Sequence, residues 1–132
     1  MKLLPPMQDD LMVQQQVANT WQHFVGVICL NQTNRTIVKK ILPTFFSLWP
    51  EDDVFLDKAT EKTVKELIKP MGMVNKRYTA LMRMSIDHLF WDREDATMLY
   101  GIGQYGSESY RIFYKHERFE PKDKELRRYL GY

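Results

Sequence analysis

Cysteine is almost missing from this chain: Cys29 is the only one in 132 residues. A lone thiol closes no disulfide within the chain, which suits a reducing compartment, and between Ile28 and Leu30 it reads as a buried core thiol. Histidine is scarce too. His23, His88 and His116 stand far apart, without cysteine or histidine companions at ligand spacing, so no metal site is expected. No apolar run is long enough to cross a bilayer. Met1-Lys2-Leu3-Leu4 is cut short by Pro5-Pro6, which leaves too little apolar length for a secretory signal. Asn31-Gln32-Thr33 and Asn34-Arg35-Thr36 have the form of glycosylation acceptors, but without such a signal they are discounted. Convincing apolar–polar alternation, Asn-Gly or Asp-Gly turns, internal repeats and low-complexity segments are all lacking, which argues against strands. What is present, 44% hydrophobic and 13% aromatic residues, makes the chain globular, and its length suits a single domain over residues 1–132, with 1–8 as a lead-in.

Net charge is only +2 and by itself says nothing about partners. Its distribution says more. Before Arg35 the only Lys or Arg is Lys2. From Arg111 to Arg128 there are seven (Arg111, Lys115, Arg118, Lys122, Lys124, Arg127, Arg128) against four acids (Glu117, Glu120, Asp123, Glu125). Positive charge therefore gathers toward the C-terminal end.

The expected architecture is all-α, with roughly eight or nine short helices. Asp9 or Asp10 caps a short helix over residues 11–13. Asn19 or Thr20 caps a central buried helix that runs to Leu30 and is apolar on most sides. The next begins at Thr33 or Asn34, and Pro43 is expected to kink or divide it. Asp52 or Asp53 and then Thr60 start two more, and Pro70-Met71-Gly72-Met73 is a stop and a loop. A longer helix over about 76–90 places Tyr78, Leu81, Met82, Ser85, Ile86 and Leu89 in one stripe.

The most informative stretch is Tyr100-Gly101-Ile102-Gly103-Gln104-Tyr105-Gly106, between a short helical turn at residues 97–99 and a helix running through Ser109-Tyr110-Arg111-Ile112-Phe113. Two glycines around one apolar residue permit a positive φ while Ile102 turns inward. The amides that open the second helix lack intrahelical acceptors and can hold a phosphate. Downstream, Pro121-Lys122-Asp123 puts a carboxylate at the head of the last helix.

Together with Cys29-Leu30-Asn31-Gln32-Thr33 and Leu67-Ile68-Lys69-Pro70-Met71-Gly72-Met73, in this order and at these separations, these segments resemble the helix-hairpin-helix DNA glycosylases. The likeness extends from about Leu11 to Tyr129 and is greatest to the methyl-CpG-binding thymine glycosylase group. It implies a compact helical glycosylase domain acting in base excision repair on double-stranded DNA, as a monomer, away from membranes, and in the nucleus if the source is eukaryotic. In that family Asp123 would be the catalytic carboxylate, and Tyr105 would line the base pocket. Gln32 and Met73 would fill the gap left by the extruded base, and Gly101, Gly103 and Gly106 would grip the backbone. The four cysteines that hold an iron–sulfur cluster in several relatives are missing, so no cluster is expected; a monovalent cation at the hairpin is compatible with the family pattern.

Departures from the family refine this expectation. Relatives that also cut the strand carry a lysine where this chain has Tyr105, and a phenol forms no Schiff base. The implied enzyme is therefore monofunctional, with uracil or thymine opposite guanine as substrate, although Lys115 or Lys122 would be alternative amines. Gln32 replaces the arginine of the thymine group. Glu125 stands where a lysine is usual, near enough in sequence to repel phosphate or raise the pKa of Asp123. The pocket glutamine falls near Val13 or Gln14. Two alternatives stay open: a non-catalytic DNA-binding module on the same scaffold, and a glycosylase for a different damaged base.

Overall fold

Asn19, itself in an extended conformation, caps the first described helix. Its side-chain oxygen accepts from Gln22 N at 2.9 Å, satisfying an amide that the helix itself cannot. The computed structural model describes residues 17–131. The lead-in at 1–8, the short helix capped by Asp9 or Asp10 and the pocket position near Val13 or Gln14 lie outside the described residues. So do Tyr132 and the side chain of Glu125.

Helix α1 (Thr20–Leu30) is apolar nearly all round, and every residue from Trp21 to Cys29 is buried. A helix with no polar face must be surrounded, and α1 packs against α2 (Arg35–Leu48), α5 (Val74–Leu89) and α6 (Gln104–Phe113). Helices α3 (Asp52–Lys58) and α4 (Glu61–Ile68) cover α5, and α7 (Lys124–Leu130) closes against α6. The described residues thus form seven α-helices and no strand. Residues 69–71 and 96–98 make single 3-10 turns in place of further short helices.

Two expectations meet a different outcome, the first only as to a break in the helix. Pro43 does not divide α2, which is assigned without a break from Arg35 to Leu48. Pro43 lies on the exposed side, where solvent can serve the carbonyl that its missing N–H leaves. The stripe on α5 is also displaced. Ile86 and Leu89 are exposed, and the buried face is Arg77, Leu81, Met84, Ser85 and His88. The polar members of that face are all hydrogen-bonded. Ser85 Oγ accepts from Trp21 Nε1 at 2.8 Å and donates to Leu81 O, while His88 Nδ1 meets Asp52 Oδ2 at 2.7 Å. The core beside them is aromatic, with the Phe45 ring 5.5 Å from Phe55 and 5.0 Å from Trp49, and Trp21 5.5 Å from Phe55.

His23 is fully buried on α1. Ser109 Oγ, 2.8 Å from its Nε2, donates its own proton to Gly106 O, so His23 must donate through Nε2. Its Nδ1 has no hydrogen-bond partner among the described residues. Burial pushes the imidazole down to about 3, and burial likewise lowers His88 despite the opposing pull of Asp52. The His23 ring is neutral in the fold and protonates in the unfolded chain below about 6.5. The unfolded state then binds more protons, so stability present above that pH is lost as the pH falls. Melting temperature should drop between pH 7 and pH 5, and His23→Leu should flatten that slope; an unchanged slope would contradict the assignment.

Candidate functional site

The hairpin is assembled by short-range bonds. Asp95 caps the 96–98 turn through Thr97 N at 2.9 Å, and Tyr100 N donates to Asp87 Oδ2 at 2.9 Å, tying the turn to α5. Gly101 then takes φ +79, a region costly for a residue with a Cβ, and Ile102 turns inward with 6% of its surface exposed. Gly103 is the N-cap residue of α6, at φ −105 and ψ −147. The first intrahelical bond runs from Ser107 N to Gly103 O, so the amides at 104–106 precede it at the positive end of the helix. Gly106, whose amide is one of these three, also has a packing reason to be glycine. It is buried, and a Cβ there would meet Ile102 Cγ2 at 2.7 Å and Val27 Cγ1 at 3.2 Å, so glycine is required for α6 to approach α1.

Hairpin and α1 together enclose a cleft of about 470 Å³, within the range of small-molecule sites. Val27, Leu30 and the Asn31–Thr33 turn form one wall, with Arg35 at the foot of α2. Gly101 and residues 103–106 form the other. Tyr105 is half-buried in that wall, and Asp123 completes the lining. Of the seven residues singled out from sequence, Gln32, Gly101, Gly103, Tyr105, Gly106 and Asp123 therefore share one cleft. Met73 does not line it. It sits on the neighbouring turn, 43% exposed.

Asp123 is held on two sides. Its Oδ2 accepts from Leu126 N at 3.0 Å, so the carboxylate caps α7 while lining the cleft. Its backbone N donates to Glu108 Oε1 at 2.8 Å. Lys122 N donates to both oxygens of Glu108, at 3.0 and 2.8 Å. Glu108 projects from the interior of α6 and is 8% exposed. One buried carboxylate thus clamps the turn that presents the other. Sequence reading missed Glu108, Arg35 and Arg77; within Gly106-Ser107-Glu108-Ser109 a glutamate reads as a solvated charge.

Cys29, 0% exposed, is pushed up to about 12 by burial, with the Arg77 guanidinium pulling the other way; it is an inert core thiol. The basic C-terminal stretch is partly neutralised. Arg111 pairs with Glu117 and Lys115 with Glu94, each at 2.8 Å, and Arg127 pairs with Glu120. Arg118, Lys122 and Lys124 are exposed and have no ion pair among the described residues.

No family model matches the chain. Over 114 residues it is 29% identical to a Methyl-CpG-binding domain protein 4-like protein of Arabidopsis thaliana, a match covering 85% of this chain and 25% of that protein. Its structure is similar to that of a thermostable thymine-DNA glycosylase, with a TM-score of 0.64 and 21% identity, over 76% of this chain and 52% of the other. The chain therefore spans a quarter of the plant protein and about half of the glycosylase chain. The all-α array described above is the fold of that glycosylase.

Proposed function

We propose that this chain is a monofunctional DNA glycosylase of base excision repair, hydrolysing the bond between deoxyribose and a mismatched uracil or thymine opposite guanine in double-stranded DNA. The observation that carries this reading is the placement of the Asp123 carboxylate in the same cleft as the hairpin amides and Tyr105. Fold and sequence likeness to glycosylases of this kind support it.

A duplex backbone lies along the hairpin, its phosphate held by the amides that open α6, and the target nucleotide swings out into the cleft against Tyr105. The bond between C1′ and the base nitrogen breaks with its electron pair leaving on the base. Positive charge then develops on the sugar, and a fixed carboxylate beside it stabilises that charge. A water oxygen bonds to C1′, and one of its protons passes to Asp123 and from there to solvent. The products are a free base and an abasic site. Because a pyrimidine anion is a better leaving group than an alkoxide, one carboxyl suffices where glycosidases use two. Exposed Lys122, Lys124 and Arg118 supply phosphate contacts, so affinity falls steeply with salt.

The cleft presents a phenol, and no amine lines it among the described residues. Lys115 is held at 2.8 Å by Glu94, and that hydrogen bond raises its pKa, keeping it an ammonium rather than a nucleophile. A G·U duplex incubated with the protein and borohydride should yield no covalent adduct, and the abasic product should break only on treatment with alkali. A trapped adduct would show lyase chemistry instead. A panel of duplexes carrying oxidised, alkylated or mismatched bases fixes the substrate, since pocket shape sets base choice.

A further inference from the structure

Arg77 is 3% exposed, on the face that α5 buries against the rest of the fold. A guanidinium carries five N–H donors, and here each is aimed at a main-chain carbonyl. Nε donates to Gly72 O at 2.9 Å. One terminal nitrogen donates to Ile28 O at 3.0 Å and Cys29 O at 3.2 Å. The other reaches Gln32 O and Met71 O, both at 3.4 Å. These carbonyls come from two turns distant in sequence, one leaving α1 and one entering α5. Both turns carry an exposed non-glycine residue in the left-handed region: Gln32 at φ 57 and Met73 at φ 48. Such conformations persist only where the surroundings over-determine them.

Burying a cation is costly, and an apolar side chain of similar volume would pack α5 on α1 without that cost. What arginine adds is a shared planar fork that sets the two turns in one register. We propose that Arg77 is a positioning residue that locks these turns into a single two-pronged wedge, so that Gln32 and Met73 enter the base stack together. This rests on reading the cleft as a site for an extruded base. A loose prong can withdraw while the other stays, letting the base fall back. Two prongs on one rigid support must withdraw together.

The test is a coupling measurement on the full chain. A G·U duplex with 2-aminopurine beside the uracil reports unstacking by fluorescence, and free uracil is measured in the same single-turnover reaction. With Arg77 present, Gln32→Ala and Met73→Ala should each lower the unstacked population about tenfold. The double variant should fall little further, because parts of one unit are not additive. In an Arg77→Lys background, which keeps the charge but not the fork, the two substitutions should act independently and multiply. Independent effects with Arg77 intact, or an Arg77→Lys protein that unstacks DNA like the unaltered chain and still shows coupled prongs, would overturn the proposal. Should Arg77→Lys fail to fold, the cycle with Arg77 intact decides alone. Unstacking without base release would leave the wedge standing and remove the hydrolytic reading; no unstacking by the unaltered protein would overturn the wedge itself.

Discussion

Asp123→Asn should lower single-turnover base release by about a thousandfold, equivalent to about 4 kcal/mol of transition-state stabilisation, while duplex binding stays within about twofold. The substitution separates chemistry from folding. Asn caps helices as well as Asp does, and its side-chain oxygen can still accept from Leu126 N, which Asp123 Oδ2 accepts at 3.0 Å. The melting temperature should therefore barely move. What disappears is the negative charge beside the sugar and the acceptor for the water proton. Asp123→Ala adds a folding penalty of about 1 kcal/mol through the lost cap, which makes it the poorer probe. Full activity in Asp123→Asn would remove the carboxylate from the mechanism.

The second large effect is expected at Glu108, which touches no substrate. Its oxygens accept three short hydrogen bonds from Lys122 N and Asp123 N, out of reach of most solvent. Charge-assisted bonds of this kind are among the stronger ones in proteins. Glu108→Gln keeps the volume but turns an NH₂ toward a backbone N–H, donor against donor. The turn that presents Asp123 should then loosen. Base release should slow by roughly 10- to 100-fold, an angstrom of misplacement sufficing for the upper figure. Stability should fall by about 1–3 kcal/mol, and the amides of Lys122 and Asp123 should exchange faster with solvent. Unchanged exchange at those amides alongside a normal rate would mean that the clamp is unnecessary.

Where signals were local, the sequence was sufficient. Asn19, Asn34 and Thr60 each cap the helix that follows, because capping depends on a side chain and amides two or three residues away. The Gly101-Ile102-Gly103 turn is equally local: φ +79 at Gly101 and an inward Ile102 follow from residue types alone. Position 123 at the head of α7 belongs to the same class.

Where the partner is distant, the pattern misleads. Arg77 and His88 occupy the buried face of α5 because Ile28, Gln32 and Asp52 supply their acceptors, and periodicity sees only that the two are polar. Ile86 and Leu89 are left outside in consequence. Glu108 was hidden for the same reason, its partners lying beyond the end of its helix. Gly106 illustrates the reverse case, a glycine whose reason is a neighbouring side chain rather than its own backbone. Pro43 warns against reading a proline without its exposure.

The central claim is that this chain itself severs the bond between base and sugar. Free base liberated from a G·U or G·T duplex, separated by chromatography and counted against the DNA supplied, tests it with the fewest assumptions. The account predicts one pyrimidine released per mismatch and a strand that breaks at that position only after alkali. Tight, salt-sensitive binding to the same duplexes with no base released from any mismatch or lesion would contradict it, and would leave a helical DNA clamp without hydrolytic chemistry.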